Sequence, residues 1–261
     1  MGSVDKAGAE RPRDLVLRGS DGREFALGEF MDDERPLVVV LAYYECPMLC
    51  SLVLNGSLDV LKKLGAGEGG AEPRLPGKDY RFLVVSFDPR DSTEVAGQKR
   101  ASYVEAFGEA TGTTAPGPES FEFATGSEQE VARLSDLLGF RYRWDESEQQ
   151  YAHAAGMFVV SPAGKLTGTL TGITFDASDV RTALADAARG HARTPLKSVL
   201  LYCFQYNPKT GKYVLAAGRA MRVGAAVTIA GVVVMLLWLS RGRRRRGEDD
   251  EQSARNTTGL V

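Results

Sequence analysis

The chain has 261 residues, of which 43% are hydrophobic and 25% are charged, and this composition is that of a folded protein with one sizeable core. Its formal net charge of −2 excludes the broad basic surface on which nucleic-acid binding depends, so we expect no nucleic-acid partner. Three cysteines are too few for a scaffold held together by disulfides, and two histidines leave little room for an imidazole-rich metal site.

The first half of the chain predicts strands and helices in alternation. Residues 14–30 alternate apolar and polar side chains around a Ser-Asp-Gly turn, which predicts a β-hairpin. The continuous apolar run 37–44 is typical of a central strand that is covered on both faces, and helical periodicity begins at Pro47. A second buried strand is predicted at 81–87, followed by a helix that reaches Phe107. We therefore predict an α/β protein.

The second half continues the same alternation. A third short strand is predicted at 121–125, and Ser127 is expected to cap a helix that ends near Leu138. Residues 156–172 predict a hairpin with a Pro-Ala-Gly turn, and 176–190 predict a helix with an alanine-rich face. The central sheet should therefore contain strands of mixed direction, flanked by helices.

An uncharged segment near the C-terminus predicts a membrane span. Residues 223–240 contain no charged side chain over 18 positions, and the helix can extend back to residue 214. The arginine-rich stretch 241–246 should stay cytoplasmic, which places the folded domain on the periplasmic side of a bacterial membrane or in the mitochondrial intermembrane space. The first residues have no apolar core, so we expect an upstream export signal to have been removed or replaced.

These patterns predict five parts. They are a flexible N-terminus (1–13), a folded α/β domain (14–192), a connector (193–213), a transmembrane helix (214–240) and a cytoplasmic tail that is first basic and then acidic (241–261). The protein is thus expected to cross the cell membrane once.

Two cysteines lie at the predicted start of a helix. If the helix begins at Pro47, Cys46 is its N-cap and Cys50 follows about one turn later, at 3.6 residues per turn, so both sulfur atoms lie at the same helix end. Exposed amide groups and the helix dipole favour the thiolate there. The pair is compatible with a structural disulfide, a redox couple, a metal site or simple burial.

A metal site at this pair needs a third ligand. Two thiolates select soft ions, and Cu(I) accepts three ligands, one of which can be an imidazole, whereas zinc normally takes four. His153 is the better candidate, because it precedes a predicted strand and is expected on a loop at the sheet edge. His191 follows the end of a helix, where the dipole explains it, and Met48 is expected to pack.

Other residues with reactive or polar side chains have simpler explanations. Asp88 precedes a proline at the end of the second strand and is typical of a turn, although it could also hydrogen-bond near the thiols or face a partner. Cys203 lies in an apolar run and is expected to pack as a small hydrophobic residue.

The order of these motifs resembles that of the Sco/SenC family of copper proteins. The resemblance covers roughly residues 14–190 and depends on Cys46-Pro47-x-x-Cys50 after an apolar strand, VVSFDPRDST at the end of the next strand, LGFRYRW, and His153 before FVVSPAGKL. It implies a thioredoxin-like fold with a membrane anchor. It also implies that Cys46, Cys50 and His153 hold copper, as Cu(I) or Cu(II).

Membership of this family would imply delivery of copper to the dinuclear site of cytochrome c oxidase subunit II, or to another apo-cuproprotein. The alternative is a thiol–disulfide oxidoreductase, in which Cys46 attacks a disulfide of the acceptor and Cys50 resolves the mixed disulfide. Three residues between the cysteines, rather than the usual two, favour the metal site. A membrane-tethered assembly factor that keeps only the fold is a third interpretation.

Overall fold

The computed structural model describes residues 13–192 except 32, 33, 47, 48, 115 and 148, and beyond them the backbone of 204–207 and 212–215 and two single residues, Thr228 and Val232. The chain divides into two compact units, Met1–Pro195 and Leu196–Val261. The predicted N-terminal segment, connector, membrane helix and tail lie almost entirely outside the described residues. Pro47, Met48 and Cys203 also lie outside the described residues.

Short strands and helices alternate through the described part of the chain. The strands are β1 (Val16–Arg18), β2 (Glu24–Ala26), β3 (Leu37–Leu41), β4 (Arg81–Val85), β5 (Phe121–Ala124), β6 (Tyr142–Asp145), β7 (Gln150–His153), β8 (Gly156–Val160), β9 (Leu166–Thr171), β10 (Phe204–Asn207) and β11 (Lys212–Leu215). The α-helices are α1 (Leu27–Phe30), α2 (Leu49–Gly65), α3 (Thr93–Thr111), α4 (Glu128–Leu138) and α5 (Ala177–Ala188). In the second unit, β10 and β11 pair with each other in antiparallel fashion.

The core of the first unit is a five-stranded mixed sheet with strand order β5-β4-β3-β8-β9. Strands β3, β4 and β5 are parallel, whereas β8 is antiparallel to β3 and β9 is antiparallel to β8. Every residue of β3 and β8 is buried, as the continuous apolar runs predict for strands covered on both faces. The predicted α/β class with a mixed central sheet is confirmed.

Several predicted elements are present with shifted ends. The N-terminal hairpin forms from β1 and β2, but it is shorter than predicted. The chain turns into the short helix α1 directly after β2, and Leu27 and Phe30 of this helix are buried. Helix α4 agrees with its predicted ends: it begins after Ser127, whose hydroxyl accepts the Glu130 amide, and it ends at Leu138, with Gly139 as C-cap at a φ of +69°.

The strand that precedes the cysteines ends earlier than predicted. The apolar run extends to Tyr44, but β3 stops at Leu41 and residues 42–46 leave the sheet as a turn. We call residues 42–46 the cysteine loop. Its residues 42, 43 and 44 are buried although they belong to no strand, which explains why their composition resembles that of a strand.

A second hairpin was not predicted as a strand pair. β6 and β7 form a separate two-stranded antiparallel sheet in which Tyr142 is paired with His153 and Asp145 with Gln150. His153 therefore ends a strand, and its predicted place on a loop is wrong. The side chains of this hairpin are only half-buried, so its sequence has neither a long apolar run nor strict alternation.

The membrane helix stays a prediction. No helix within the described residues is long and apolar enough to cross a bilayer. The predicted span at 214–240 lies outside those residues apart from a few positions at 214, 215, 228 and 232.

Candidate metal centre

The two cysteines lie together at the start of α2. Cys46 ends the cysteine loop with 7% of its surface exposed, and Cys50 is fully buried in the first turn of the helix. Both are free thiols, and the amide of Cys50 donates to the Cys46 sulfur over 3.3 Å. An amide at a helix N-terminus thus stabilises negative charge on Cys46, as the sequence predicts.

His153 completes a group of three donor atoms. Its Nε2 lies 3.2 Å from the Cys50 sulfur, and its Nδ1 lies 2.6 Å from the carbonyl oxygen of Ala154. Because a carbonyl oxygen only accepts hydrogen bonds, Nδ1 carries the proton, and the lone pair of Nε2 faces the thiol. This is the tautomer that a metal ligand requires.

Aromatic packing holds the hairpin that carries His153. The imidazole ring lies 5.1 Å from the ring of Phe87, 6.0 Å from Phe140 and 6.1 Å from Tyr43, measured between centroids. Tyr151, on the same strand, makes an edge contact with Phe87 at 5.5 Å. Since β6 and β7 have no strand partner other than each other in the described chain, these side chains determine where the imidazole lies.

The three donors form a compact cluster. One donor atom from each of Cys46, Cys50 and His153 lies within 4.8 Å of the other two, and no other group of three such residues was found in the described ranges. Two sulfur atoms and one imidazole nitrogen form a soft donor set, which suits copper or zinc rather than magnesium or calcium. The predicted candidates therefore come together, while His191 and Asp88 lie outside the cluster.

The two thiols differ in acidity. The hydrogen bond with Cys50 lowers the pKa of Cys46, and the Cys50 amide lowers it further, although burial opposes them. Burial raises the pKa of Cys50, and the neighbouring Cys46 adds to the effect. In the metal-free protein, Cys46 is therefore the thiol that is favoured as thiolate, and Cys50 is the one that keeps its proton.

This difference predicts ordered alkylation. In reduced, metal-free protein at pH 6 to 7, iodoacetamide is expected to modify Cys46 about tenfold or more faster than Cys50, because a lowered pKa keeps the thiolate populated below the ordinary thiol pKa of about 8.5. Mass spectrometry of peptides taken at short times measures both rates. In denaturant the two rates should become similar, and equal rates in the folded protein would contradict the assignment.

Asp88 does not reach the thiols. It is buried just after β4, and its carboxylate accepts hydrogen bonds from the guanidinium of Arg90, at 2.8 and 3.1 Å from Nε and 2.6 Å from Nη2. Burial alone would raise the pKa of Asp88, but Arg90 outweighs that effect and lowers it. Arg90 in turn lies over the ring of Trp144 at 4.9 Å, so this pair connects the end of β4 with the β6–β7 hairpin.

Asp91 is a positioning residue that the sequence analysis missed. Its buried carboxylate accepts the amide of Tyr44 over 2.6 Å and the hydroxyl of Ser86, which joins the cysteine loop to the end of β4. Burial raises its pKa. Asp91 immediately precedes the helix cap Ser92, where an acidic residue has an ordinary explanation in the helix dipole, so the sequence has no signal for this role.

Removing this carboxylate should loosen the cysteine loop. Asp91→Ala is expected to lower the free energy of unfolding by about 1 to 3 kcal/mol, because a buried amide loses its acceptor, and to weaken Cu(I) binding about tenfold. Glu122→Ala is the matched control. Glu122 is also buried and accepts two amides, from Ser20 and Phe123, but neither belongs to the cysteine loop.

Chemical denaturation and competition with a Cu(I) chelator measure the two effects. Both variants should be destabilised, and only Asp91→Ala should lose metal affinity. Equal metal affinity in the two variants would show that Asp91 supports the fold alone.

The sheet and the cluster define a class of protein: a thioredoxin-like domain with a candidate metal site at a Cys-x-x-x-Cys helix start and a distant histidine. The chain belongs to the SCO1/SenC family, whose model matches residues 17–189. No curated protein sequence matches the chain.

Solved structures share this fold at low sequence identity. A structure from Aquifex aeolicus VF5, described as a candidate electron transfer protein, is 23% identical, with 71% of this chain and 96% of that chain covered and a TM-score of 0.58. BsSco, described as a member of the Sco family of cytochrome c oxidase assembly proteins with a disulfide switch, is 17% identical over 72% and 97%, with a TM-score of 0.50. Arabidopsis thaliana ScoI, with copper bound, is 18% identical over 71% and 99%, with a TM-score of 0.47.

Proposed function

We propose that this protein is a copper chaperone that holds copper through Cys46, Cys50 and His153. The observation that carries the proposal is the convergence of two thiols and a correctly protonated imidazole within 4.8 Å. We further propose that it delivers the copper to the dinuclear site of cytochrome c oxidase subunit II or to another apo-cuproprotein. Membership of the SCO1/SenC family supports this choice of acceptor.

The three side chains are suited to holding copper as cargo. Cys46 is already favoured as thiolate, while Cys50 must release its proton, so copper binding should release protons. Thiolate and imidazole donors match the softness of Cu(I). A site with only three protein ligands accepts a thiolate from the acceptor before it releases its own, so copper can pass between the proteins by stepwise ligand exchange.

The runner-up function is reduction of a disulfide in the acceptor. It is favoured by one observation, the low pKa of the more exposed Cys46 beside the buried, protonated Cys50. Cys46 thiolate would attack the target disulfide and release one target thiolate. Cys50 would then displace the second target sulfur from Cys46, leaving a Cys46–Cys50 disulfide and a target that has gained two electrons. An assembly factor without a working site would need none of these three side chains together.

We also propose that the folded domain lies outside the cytoplasm on a single membrane helix at 214–240, with the C-terminal tail in the cytoplasm. The uncharged segment and the arginines that follow it support this topology. In membrane vesicles of known orientation, protease should remove a C-terminal tag only when the cytoplasmic face is accessible. Removal of the tag from the opposite face would contradict the topology.

An anaerobic titration of the reduced full-length chain in detergent separates the two functions. For a copper chaperone we expect one Cu(I) per chain, bound tightly enough to compete with a chelator of known affinity. A parallel assay measures reduction of a disulfide-bonded peptide in the absence of metal. Absence of Cu(I) binding together with rapid peptide reduction would replace the chaperone with the reductase.

A further inference from the structure

Tyr43 adjoins the proposed copper site without being one of its ligands. It is 4% exposed, and its amide donates to the Cys50 sulfur over 3.3 Å. Its ring makes an edge contact with the imidazole of His153, with centroids 6.1 Å apart. The backbone and the ring of Tyr43 thus adjoin two of the three ligands.

The hydroxyl of Tyr43 is the one polar group of this side chain, and it has no hydrogen bond to the cluster or to its surroundings in the described chain. It is buried, and among the described residues no partner meets hydrogen-bond geometry with it. A buried hydroxyl without a partner is costly, and native proteins rarely keep one without a reason. Because the amide of Tyr43 lies against Cys50 and its ring against His153, the hydroxyl is buried beside a cluster whose donor atoms lie within 4.8 Å of one another. The Cys46 sulfur is the donor of this cluster that remains for the hydroxyl, since the amide and the ring of Tyr43 already adjoin the other two.

We propose that the Tyr43 hydroxyl donates a hydrogen bond to the Cys46 thiolate when copper is bound, and that this bond makes the site prefer Cu(I) to Cu(II). A hydrogen bond withdraws electron density from a thiolate. The loss weakens the bond to Cu(II), the more electron-demanding ion, more than the bond to Cu(I), and hydrogen bonding at a cysteine ligand is a recognised control of copper potential. Tyr43 is thus a positioning and specificity-determining residue that acts through Cys46. The inference rests on the proposed function and concerns the same site.

Tyr43→Phe removes only the hydroxyl and keeps the ring contacts. In full-length protein loaded with copper, we expect the thiolate-to-Cu(II) absorption band to move to longer wavelength. We also expect the ratio of Cu(I) to Cu(II) affinity to fall about three- to tenfold, which is the range that one hydrogen bond supplies. Optical spectra and separate chelator competitions for the two ions measure these effects.

Tyr80→Phe is the matched control. Tyr80 is also fully buried with a hydroxyl that has no partner in the described chain, but it precedes β4 at the end of the strand opposite to the cysteine loop. Neither the band nor the affinity ratio should change in this variant. Thermal unfolding of both variants verifies that each is folded.

Three outcomes overturn the inference. If wild-type protein binds copper and Tyr43→Phe leaves both the band and the ratio unchanged, the hydroxyl has no such role, and the proposed function still stands. If Tyr80→Phe produces the same change, the effect is a general loosening of the fold. If wild-type protein binds no copper, the proposed function fails and this inference fails with it.

Discussion

His153→Ala is expected to weaken Cu(I) binding by about 100-fold. The estimate follows from metal-binding free energies of about 10 to 16 kcal/mol for four-ligand sites, which give about 3 kcal/mol for each ligand. Loss of the imidazole distinguishes the two proposed functions. Copper binding by three ligands needs it, whereas thiol–disulfide exchange between Cys46 and its target needs no histidine. Chelator competition measures copper affinity, and the peptide assay measures reduction in the same variant.

The matched control for this variant is His191→Ala. His191 is exposed and lies outside the cluster, so its removal should leave Cu(I) affinity unchanged. If His153→Ala binds Cu(I) as tightly as wild type, the three-ligand site is wrong and copper is held by the thiols alone. If His153→Ala loses copper but still reduces the peptide, the cluster carries both chemistries.

Cys50→Ser should weaken copper binding and abolish the second step of disulfide reduction. A hydroxyl has nearly the size of a thiol but is a hard, protonated donor, so we expect Cu(I) affinity to fall by about 100-fold, the share of one lost ligand. In the reductase assay, Cys46 can still attack, but no residue resolves the product. A mixed disulfide between Cys46 and the peptide should therefore accumulate, and mass spectrometry detects it as a covalent adduct.

Cys203→Ser is the same substitution at a cysteine that is predicted to pack as a small hydrophobic residue, and it should change neither property. Loss of copper from Cys203→Ser would place Cys203 among the ligands. A Cys50→Ser variant that releases reduced peptide at the wild-type rate would exclude the runner-up mechanism with Cys50 as the resolving thiol.

Much of the sheet could be predicted, because each of its central strands is covered on both faces. The continuous apolar runs of β3, β4 and β8 are typical of buried strands, so these strands could be predicted from the sequence. Their ends were less predictable. Tyr43 and Tyr44 look like strand residues because they are buried, yet they form a turn that is held by the Asp91 carboxylate.

The sequence predicts the relative position of the two cysteines, but it does not predict the position of the histidine. Cys46 and Cys50 are four residues apart at a helix start, so the geometry of one helical turn brings their sulfur atoms together. The sequence by itself therefore determined the α/β class, the thiol pair and its helix-end environment.

Only the tertiary structure decided which face of the protein His153 occupies. It lies 103 residues from Cys50 on a hairpin that is held by ring contacts with Phe87 and Phe140 rather than by pairing with the central sheet. The role of Asp91 and the position of Tyr43 over the cluster depend on the same packing. Contacts of this kind join residues that are distant along the chain. The periodicity of a sequence indicates which side of a helix or strand is buried, but not which residues cover that side. These contacts could therefore not be predicted from the sequence.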